Sequence, residues 1–288
     1  MLEAINVSIA LPDRSQKSLF GRAPLLKIIQ NVDLTVQRGK VVGIVGESGS
    51  GKSTIGRSLL GLYRPVTGKV MLEGKDLASL SKEELREARF KIQMIFQDSQ
   101  SSLNPRRKII DILADPFVAN GRASRSDARN KALALLERVG MRPAHGDRYP
   151  HQLSGGQRQR IGIARAIALE PSYIVADEIV SGLDVSVQAQ VLALLRQLRA
   201  ENSLGMVFIS HDLSVVRTLC DDVVVMQHGR VVEAGECTRV FNDPRNDYTK
   251  KLLRAVPLPV VEKDWLDESR RCDSEAVTEL PSAVAAMR

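Results

Sequence analysis

Residues Gly46 to Thr54 read GESGSGKST and follow the short apolar run Val41-Val42-Gly43-Ile44-Val45. No other stretch limits the fold as much. A run of that length and character predicts a buried strand. The pattern G-x-x-x-x-G-K-S then spans Gly46, Glu47, Ser48, Gly49, Ser50, Gly51, Lys52 and Ser53, with Thr54 after it. Glycines 46, 49 and 51 let the backbone turn its N–H groups toward one point without Cβ clashes. Lys52 supplies a point charge suited to β and γ phosphates, and the Ser53 hydroxyl is placed to ligate Mg²⁺. A helix over roughly Lys52 to Leu62 is expected next, with the positive end of its dipole at the same anion.

A second feature lies a hundred residues on. Leu153 to Gln157 read LSGGQ, opening a helix expected to run to about Leu169 and to stop at Pro171. Ser154 is a good N-cap, and Gly155 and Gly156 leave backbone N–H groups accessible ahead of Gln157. On its own the stretch reads equally well as an ordinary helix cap. Beside the phosphate loop it makes a second anion site, and one nucleotide cannot easily use both on a single monomer. Head-to-tail pairing of two subunits resolves this. Ser154 and Gly156 of one subunit then meet the γ-phosphate bound to the other.

Tyr173 to Ala176 is a buried-strand run that ends at Asp177-Glu178. Ligands of open α/β sheets sit at the carboxyl ends of strands. Asp177 is therefore placed to hold Mg²⁺ through its water shell, and Glu178 to polarise an attacking water as general base. Taken without the phosphate loop, the same two acids could simply cap the next helix.

The rest of the chain fits this frame. Residues 1 to about 40 look strand-rich, with a polar interruption from Asp13 to Pro24, and Gly68 to Gly74 reads as one more short strand. Ser81-Lys82-Glu83-Glu84 is a capping box for a helix to about Arg89, before a strand from Ile92 to Phe96. From about 98 to 158 helical spacing takes over (Ala128, Ala132, Leu135, Leu136, Val139), predicting a helical insertion. Strands and helices then alternate again: a helix stripe from Val187 to Leu198, a strand from Met206 to Ser210, and a hairpin turning at His228-Gly229. Such alternation predicts a mostly parallel sheet covered by helices. The segment from Val261 onward carries seven acids against four bases and little apolar pattern, so a mobile tail is expected.

Composition narrows the function classes. No apolar stretch approaches the roughly 18–20 residues that span a bilayer. The start MLEAINVSIALPDRS lacks the basic-then-apolar pattern of a secretory signal. Cys220, Cys237 and Cys272 are odd in number and far apart, which fits a reducing compartment and gives no metal spacing. The net charge of +7 comes from scattered residues, and aromatics are only 4 % of the chain. Stacking platforms for nucleic acid are therefore not expected.

The set GESGSGKS, Gln97, LSGGQ, Asp177-Glu178, SGLD (Ser181 to Asp184) and His211 resembles the nucleotide-binding subunit of ATP-binding-cassette (ABC) transporters. The resemblance covers about residues 1 to 258, leaving 259–288 as the tail. It implies a P-loop NTPase (RecA-like) core with an N-terminal antiparallel β-subdomain and an inserted α-helical subdomain. It also implies ATP and Mg²⁺ as ligands. Gln97 would reach the Mg²⁺ and attacking water, His211 the γ-phosphate, and Asp184 would help join the two halves. Alone, Gln97 reads as a solvent-facing amide and His211 as a capping imidazole.

The stretches QDSQSSLNPR (Gln97 to Arg106), VSVQAQVL (Val185 to Leu192), FISHDLSVVR (Phe208 to Arg217) and NDPRNDYTKKLLRAVP (Asn242 to Pro257) are similar to dipeptide and oligopeptide importers and their nickel, opine and glutathione relatives. By that resemblance this is the F-type partner. It would pair with a second ATPase subunit, of D-type or another copy of itself. It would act with two membrane permease subunits and, through them, a substrate-binding protein, on the cytoplasmic face of the inner membrane. The rival class is a soluble ABC ATPase acting on ribosomes or DNA, which usually has two cassettes or long coiled-coil insertions. Ile179 and Gly182 depart from the family's usual proline and alanine, and Gly182 is expected to loosen the loop beside Asp184. Adenine stacking has no assigned residue: the aligned position is Leu11, and Phe20 would substitute only if the polar interruption folds back.

Overall fold

The computed structural model describes residues 1–13, 24–98 and 101–255. The chain divides into a compact unit, Met1–Leu253, and a second, Arg254–Arg288, of which only Arg254 and Ala255 are described. The expected mobile tail, Cys272 and Phe20 therefore lie outside the described residues.

Strand β1 (Leu2–Pro12) pairs antiparallel with β2 (Leu25–Val36), Leu2 opposite Val36 and Pro12 opposite Leu25. Leu2, Ala4, Val7 and Ile9 turn inward. The step of three between Ala4 and Val7 marks a register shift, at Asn6 with φ 49°. Strand β3 (Val41–Val45) is buried throughout, as a central strand of a parallel sheet must be. Helix α1 (Lys52–Leu59) follows the phosphate loop and stops three residues short of the expected Leu62. The cause is local. Gly61, at φ 66°, and Leu62 donate their N–H groups back to the carbonyls of Ser58 (2.9 Å) and Arg57 (3.1 Å), closing the helix in a Schellman turn.

Strands β4 (Thr67–Leu72) and β5 (Lys75–Asp76) complete a four-stranded antiparallel sheet of order β2-β1-β4-β5. Helix α2 (Lys82–Lys91) opens on the expected capping box, with Ser81 Oγ accepting from Glu84 N at 3.2 Å and the Glu84 carboxylate from Ser81 N at 3.0 Å. It runs two residues past Arg89 and leads straight into β6 (Ile92–Ile95), which ends one residue before Phe96.

Helices α3 (Ile109–Ala119) and α4 (Arg125–Arg138) pack on each other. The stripe read from the sequence, Ala128, Ala132, Leu135 and Leu136, is the buried face of α4. Two 3₁₀ turns, Pro143–Asp147 and Pro150–Gln152, connect to α5 (Gly155–Ile167).

The remaining elements are β7 (Tyr173–Asp177), α6 (Val185–Asn202), β8 (Gly205–Ile209), α7 (Leu213–Leu219), β9 (Asp222–Gln227), β10 (Arg230–Glu236), α8 (Cys237–Asn242) and α9 (Asp247–Arg254). The second sheet has the order β10-β9-β3-β8-β7-β6. Its neighbours are parallel except β10, which turns back on β9 through His228 (φ 48°) and Gly229 (φ 77°). Two successive positive φ values give the turn whose twist suits a two-residue hairpin.

Helix α1 touches both sheets, β1 and β2 on one side and β7 and β8 on the other. Its Ile55 and Leu59 are fully buried in a cluster running from Leu2, Val7 and Ile29 to Ile44, Val175 and Ile209. That packing fixes the helix behind the phosphate loop. The parallel neighbours β3, β8, β7 and β6 all point the same way, so their carboxyl ends deliver four loops to one edge of the sheet.

Candidate functional site

The four loops carry the residues singled out from the sequence. β3 delivers Gly46–Thr54, β7 delivers Asp177 and Glu178, β8 delivers His211, and β6 delivers Gln97. Ser53 Oγ donates to Asp177 Oδ1 at 2.8 Å. Gln97 Nε2 donates to Glu178 Oε2 at 2.9 Å, and His211 Nδ1 stands 3.6 Å from the same oxygen. Residues 81 and 33 positions from Glu178 in sequence thus converge on one carboxylate.

The loop itself is close-packed. Gly46 sits at φ +145°, and a Cβ there would lie 2.1 Å from the Met226 carbonyl oxygen, so only glycine lets the loop approach β9 this closely. Lys52 Nζ donates to the carbonyls of Gly46 and Glu47, both at 2.9 Å. Burial lowers the Lys52 ammonium's pKa, while the Glu178 and Asp177 carboxylates oppose that effect. Ser50 Oγ is buried at the loop and finds no hydrogen-bond partner among the described residues. A buried orphan hydroxyl, a buried ammonium and the adjacent Ser53–Asp177 oxygens fit a phosphate chain with a divalent cation.

Asp177 is 3 % exposed. Burial raises its carboxyl pKa, against the Ser53 hydrogen bond and the Arg57 guanidinium, which lower it. An acid whose pKa is raised by folding costs stability when ionised, and the cost disappears as pH falls through the raised value. Asp177→Asn is therefore expected to raise the melting temperature of the nucleotide-free protein at pH 7. The gap to wild type should narrow as the pH is lowered. A melting temperature at pH 7 equal to or below wild type's would contradict this origin of the shift.

Glu178 adopts φ 49°, uncommon for a residue with a Cβ, and its N–H donates to the Ile209 carbonyl at 2.9 Å. Ile179, where the family usually has proline, is 1 % exposed and extends the core beyond β7. Gly182 stands at φ +74° with open space around its Cβ position. It fits a left-handed turn that an alanine would strain.

LSGGQ stands apart from these groups. Ser154 Oγ accepts from Gln157 N at 3.3 Å, and Gln157 Oε1 accepts from Ser154 N at 3.0 Å. This capping box was present in the sequence as S-x-x-Q and was not anticipated. A Cβ on Gly156 would lie 2.3 Å from Val187 Cγ1, so the glycine lets the start of α5 approach the start of α6. Asp184 caps α6, accepting from Val187 N at 2.9 Å and Ser186 Oγ at 2.7 Å. Among the described residues, no hydrogen bond or ion pair joins Leu153–Gln157 or Asp184 to the phosphate loop. Leu11 is half-buried against the core cluster beside the four-stranded sheet.

Cys220 and Cys237 are buried free thiols. Burial pushes Cys220 well up and Cys237 to about 11, which leaves both unreactive.

Comparison with known proteins agrees with this geometry. Residues 29–181 match the family model described as ABC transporter. A putative peptide import ATP-binding protein of Brucella abortus is 50% identical over 238 residues, 83% of this chain and 75% of the relative. The dipeptide transport ATP-binding protein DppF of Escherichia coli K12 is 46% identical over 89% of this chain and 76% of its own length. The oligopeptide transport ATP-binding protein OppF of Salmonella typhimurium is 46% identical over 90% and 78%. Among solved structures, a dimeric ATP-binding cassette in a post-hydrolysis state bound to ADP and Pi superposes with a TM-score of 0.72. It is 29% identical, over 82% of this chain and 99% of the other.

Proposed function

This chain belongs to the ABC transporter family, is an ATPase that uses ATP with Mg²⁺, and, we propose, powers import of peptides or a related small solute as an F-type subunit paired with a second ATPase subunit. The observation that carries the proposal is the convergence of Ser53, Asp177, Gln97 and His211 on the groups around Glu178 at one sheet edge. The names of the relatives, peptide import, dipeptide transport and oligopeptide transport ATP-binding proteins, suggest the solute class.

Each of these residues is assigned a role in the proposal. Backbone N–H groups of the Gly46–Thr54 loop other than that of Glu47, together with the Lys52 ammonium, hold the triphosphate. Ser53 Oγ, Asp177 and Gln97 would hold the cation. Bound Mg²⁺ neutralises charge on the transferring phosphoryl group. Glu178 takes the proton of the attacking water as general base. Gln97 and His211 orient the Glu178 carboxylate, and His211 also faces the γ-phosphate. LSGGQ and Asp184 serve the partner subunit's nucleotide. Residues 1–258 act as the ATPase domain, with the helices of 98–158 as its inserted subdomain. No described helix is long and apolar enough to cross a membrane. Passage of the solute is assigned here to two permease subunits. The chain then works peripherally, at the cytoplasmic face of the inner membrane, beside a D-type homologue or a second copy of itself.

Co-expression with its permease subunits and reconstitution into vesicles tests this. ATP inside the vesicles should drive peptide accumulation, stimulated by a peptide-loaded binding protein. Failure to copurify with any membrane protein, together with ATPase stimulated by ribosomes or DNA, would favour the soluble class.

A further inference from the structure

The stretch that begins at Asn242 supplies a direct contact to the phosphate loop through Tyr248. Tyr248, on α9 and 8 % exposed, accepts a hydrogen bond at its hydroxyl from the backbone N–H of Glu47 at 3.0 Å. The N–H of Glu47 and the carbonyl of Gly46 belong to one peptide group. That carbonyl accepts from Lys52 Nζ at 2.9 Å. One peptide plane is therefore held at both ends, by Tyr248 on one side and by the phosphate-binding ammonium on the other. Hydrogen bonds chained in this way polarise and orient one another.

The tyrosine is itself well anchored. Asn246 Oδ1 accepts from Tyr248 N at 2.9 Å. The Glu233 carboxylate on β10 accepts from Arg245 N at 2.9 Å and Asn246 N at 3.1 Å. The same hairpin meets the loop again where Gly229 N donates to the Ser50 carbonyl at 3.1 Å. Hairpin, helix and loop form one hydrogen-bonded assembly behind the site.

We propose that Tyr248 is a positioning residue for nucleotide, setting the Gly46–Glu47 peptide from α9 and so coupling occupancy of the phosphate loop to the C-terminal helix. This rests on the reading of Gly46–Thr54 as the nucleotide site. The coupling is reciprocal: a bond that helps nucleotide bind is strengthened by bound nucleotide.

Tyr248→Phe removes only the hydroxyl and keeps the ring in its buried seat. In the full-length chain, titration with a non-hydrolysable ATP analogue and Mg²⁺ should give a dissociation constant about three- to tenfold higher than wild type, the worth of one ordinary hydrogen bond. Hydrogen exchange supplies a readout that a purely structural role would leave alone. In wild type the analogue should slow amide exchange across Asp247–Arg254, and in Tyr248→Phe that slowing should be lost. Unchanged affinity overturns the proposal, and so does weakened affinity with the wild-type exchange response of α9. A wild-type chain that bound no analogue at all would overturn the nucleotide-site reading instead.

Discussion

Glu178→Gln is expected to slow ATP hydrolysis by about 10²–10⁴-fold, the usual contribution of a positioned general base, while ATP and Mg²⁺ still bind. The amide keeps the size of the carboxylate and cannot take a proton. Its oxygen can still accept from Gln97 Nε2, which lies 2.9 Å from Glu178 Oε2, so the arrangement of the loops should persist. The variant should therefore accumulate as a long-lived ATP-bound pair of subunits. Single-turnover hydrolysis and nucleotide titration on the same preparation separate the two effects. Wild-type turnover would show that Glu178 is not the base.

Lys52→Ala is expected to weaken ATP binding on the order of 10²-fold. Charge-assisted hydrogen bonds are worth about 1.5–3 kcal/mol each, and the triphosphate loses its main compensating charge. The damage extends beyond the charge, because Lys52 Nζ also ties the Gly46 and Glu47 carbonyls together. It also removes one of the cations that lower the pKa of Asp177. Calorimetric titration, with a melting curve to show that the variant is folded, measures the loss. Unchanged affinity would remove the phosphate-loop assignment of Gly46–Thr54.

Much of this site was legible because its signals are local. A phosphate loop states its strand, its turn and its helix within fifteen or so residues. Asp177-Glu178 follow an apolar run, and the rule that ligands gather at strand ends places them at the loop without any further contact. The capping box at Ser81 is local in the same way. The signal at Ser154 and Gln157 is equally local, a second capping box that encloses the two glycines.

What stayed hidden was non-local. Tyr248 and Glu47 are 201 positions apart, and a tyrosine in a polar stretch announces no partner. Gly156 looks like an open anion cradle in sequence, whereas its missing Cβ is also filled by Val187 Cγ1. The end of α1 turned on the left-handed Gly61, and Leu62, which reads as one more apolar helix position, belongs to the turn instead. Helix α3 contains Pro116, and Ile109, Ile110, Ile112, Leu113 and Phe117 bury one face of it.

The central claim is that each nucleotide lies between the phosphate loop of one subunit and LSGGQ of the other. The direct measurement places Ser154→Arg and Lys52→Ala, separately, in this chain with a wild-type partner and follows nucleotide crosslinking at each of the two sites. Among the described residues Ser154 Oγ bonds only within its own helix turn, so Ser154→Arg should leave the isolated chain's ATP affinity nearly unchanged. In the assembled pair it should empty the site whose phosphate loop belongs to the partner, while Lys52→Ala empties the other. Loss of the same site in both variants would mean that LSGGQ acts within its own chain, and the head-to-tail account would be wrong.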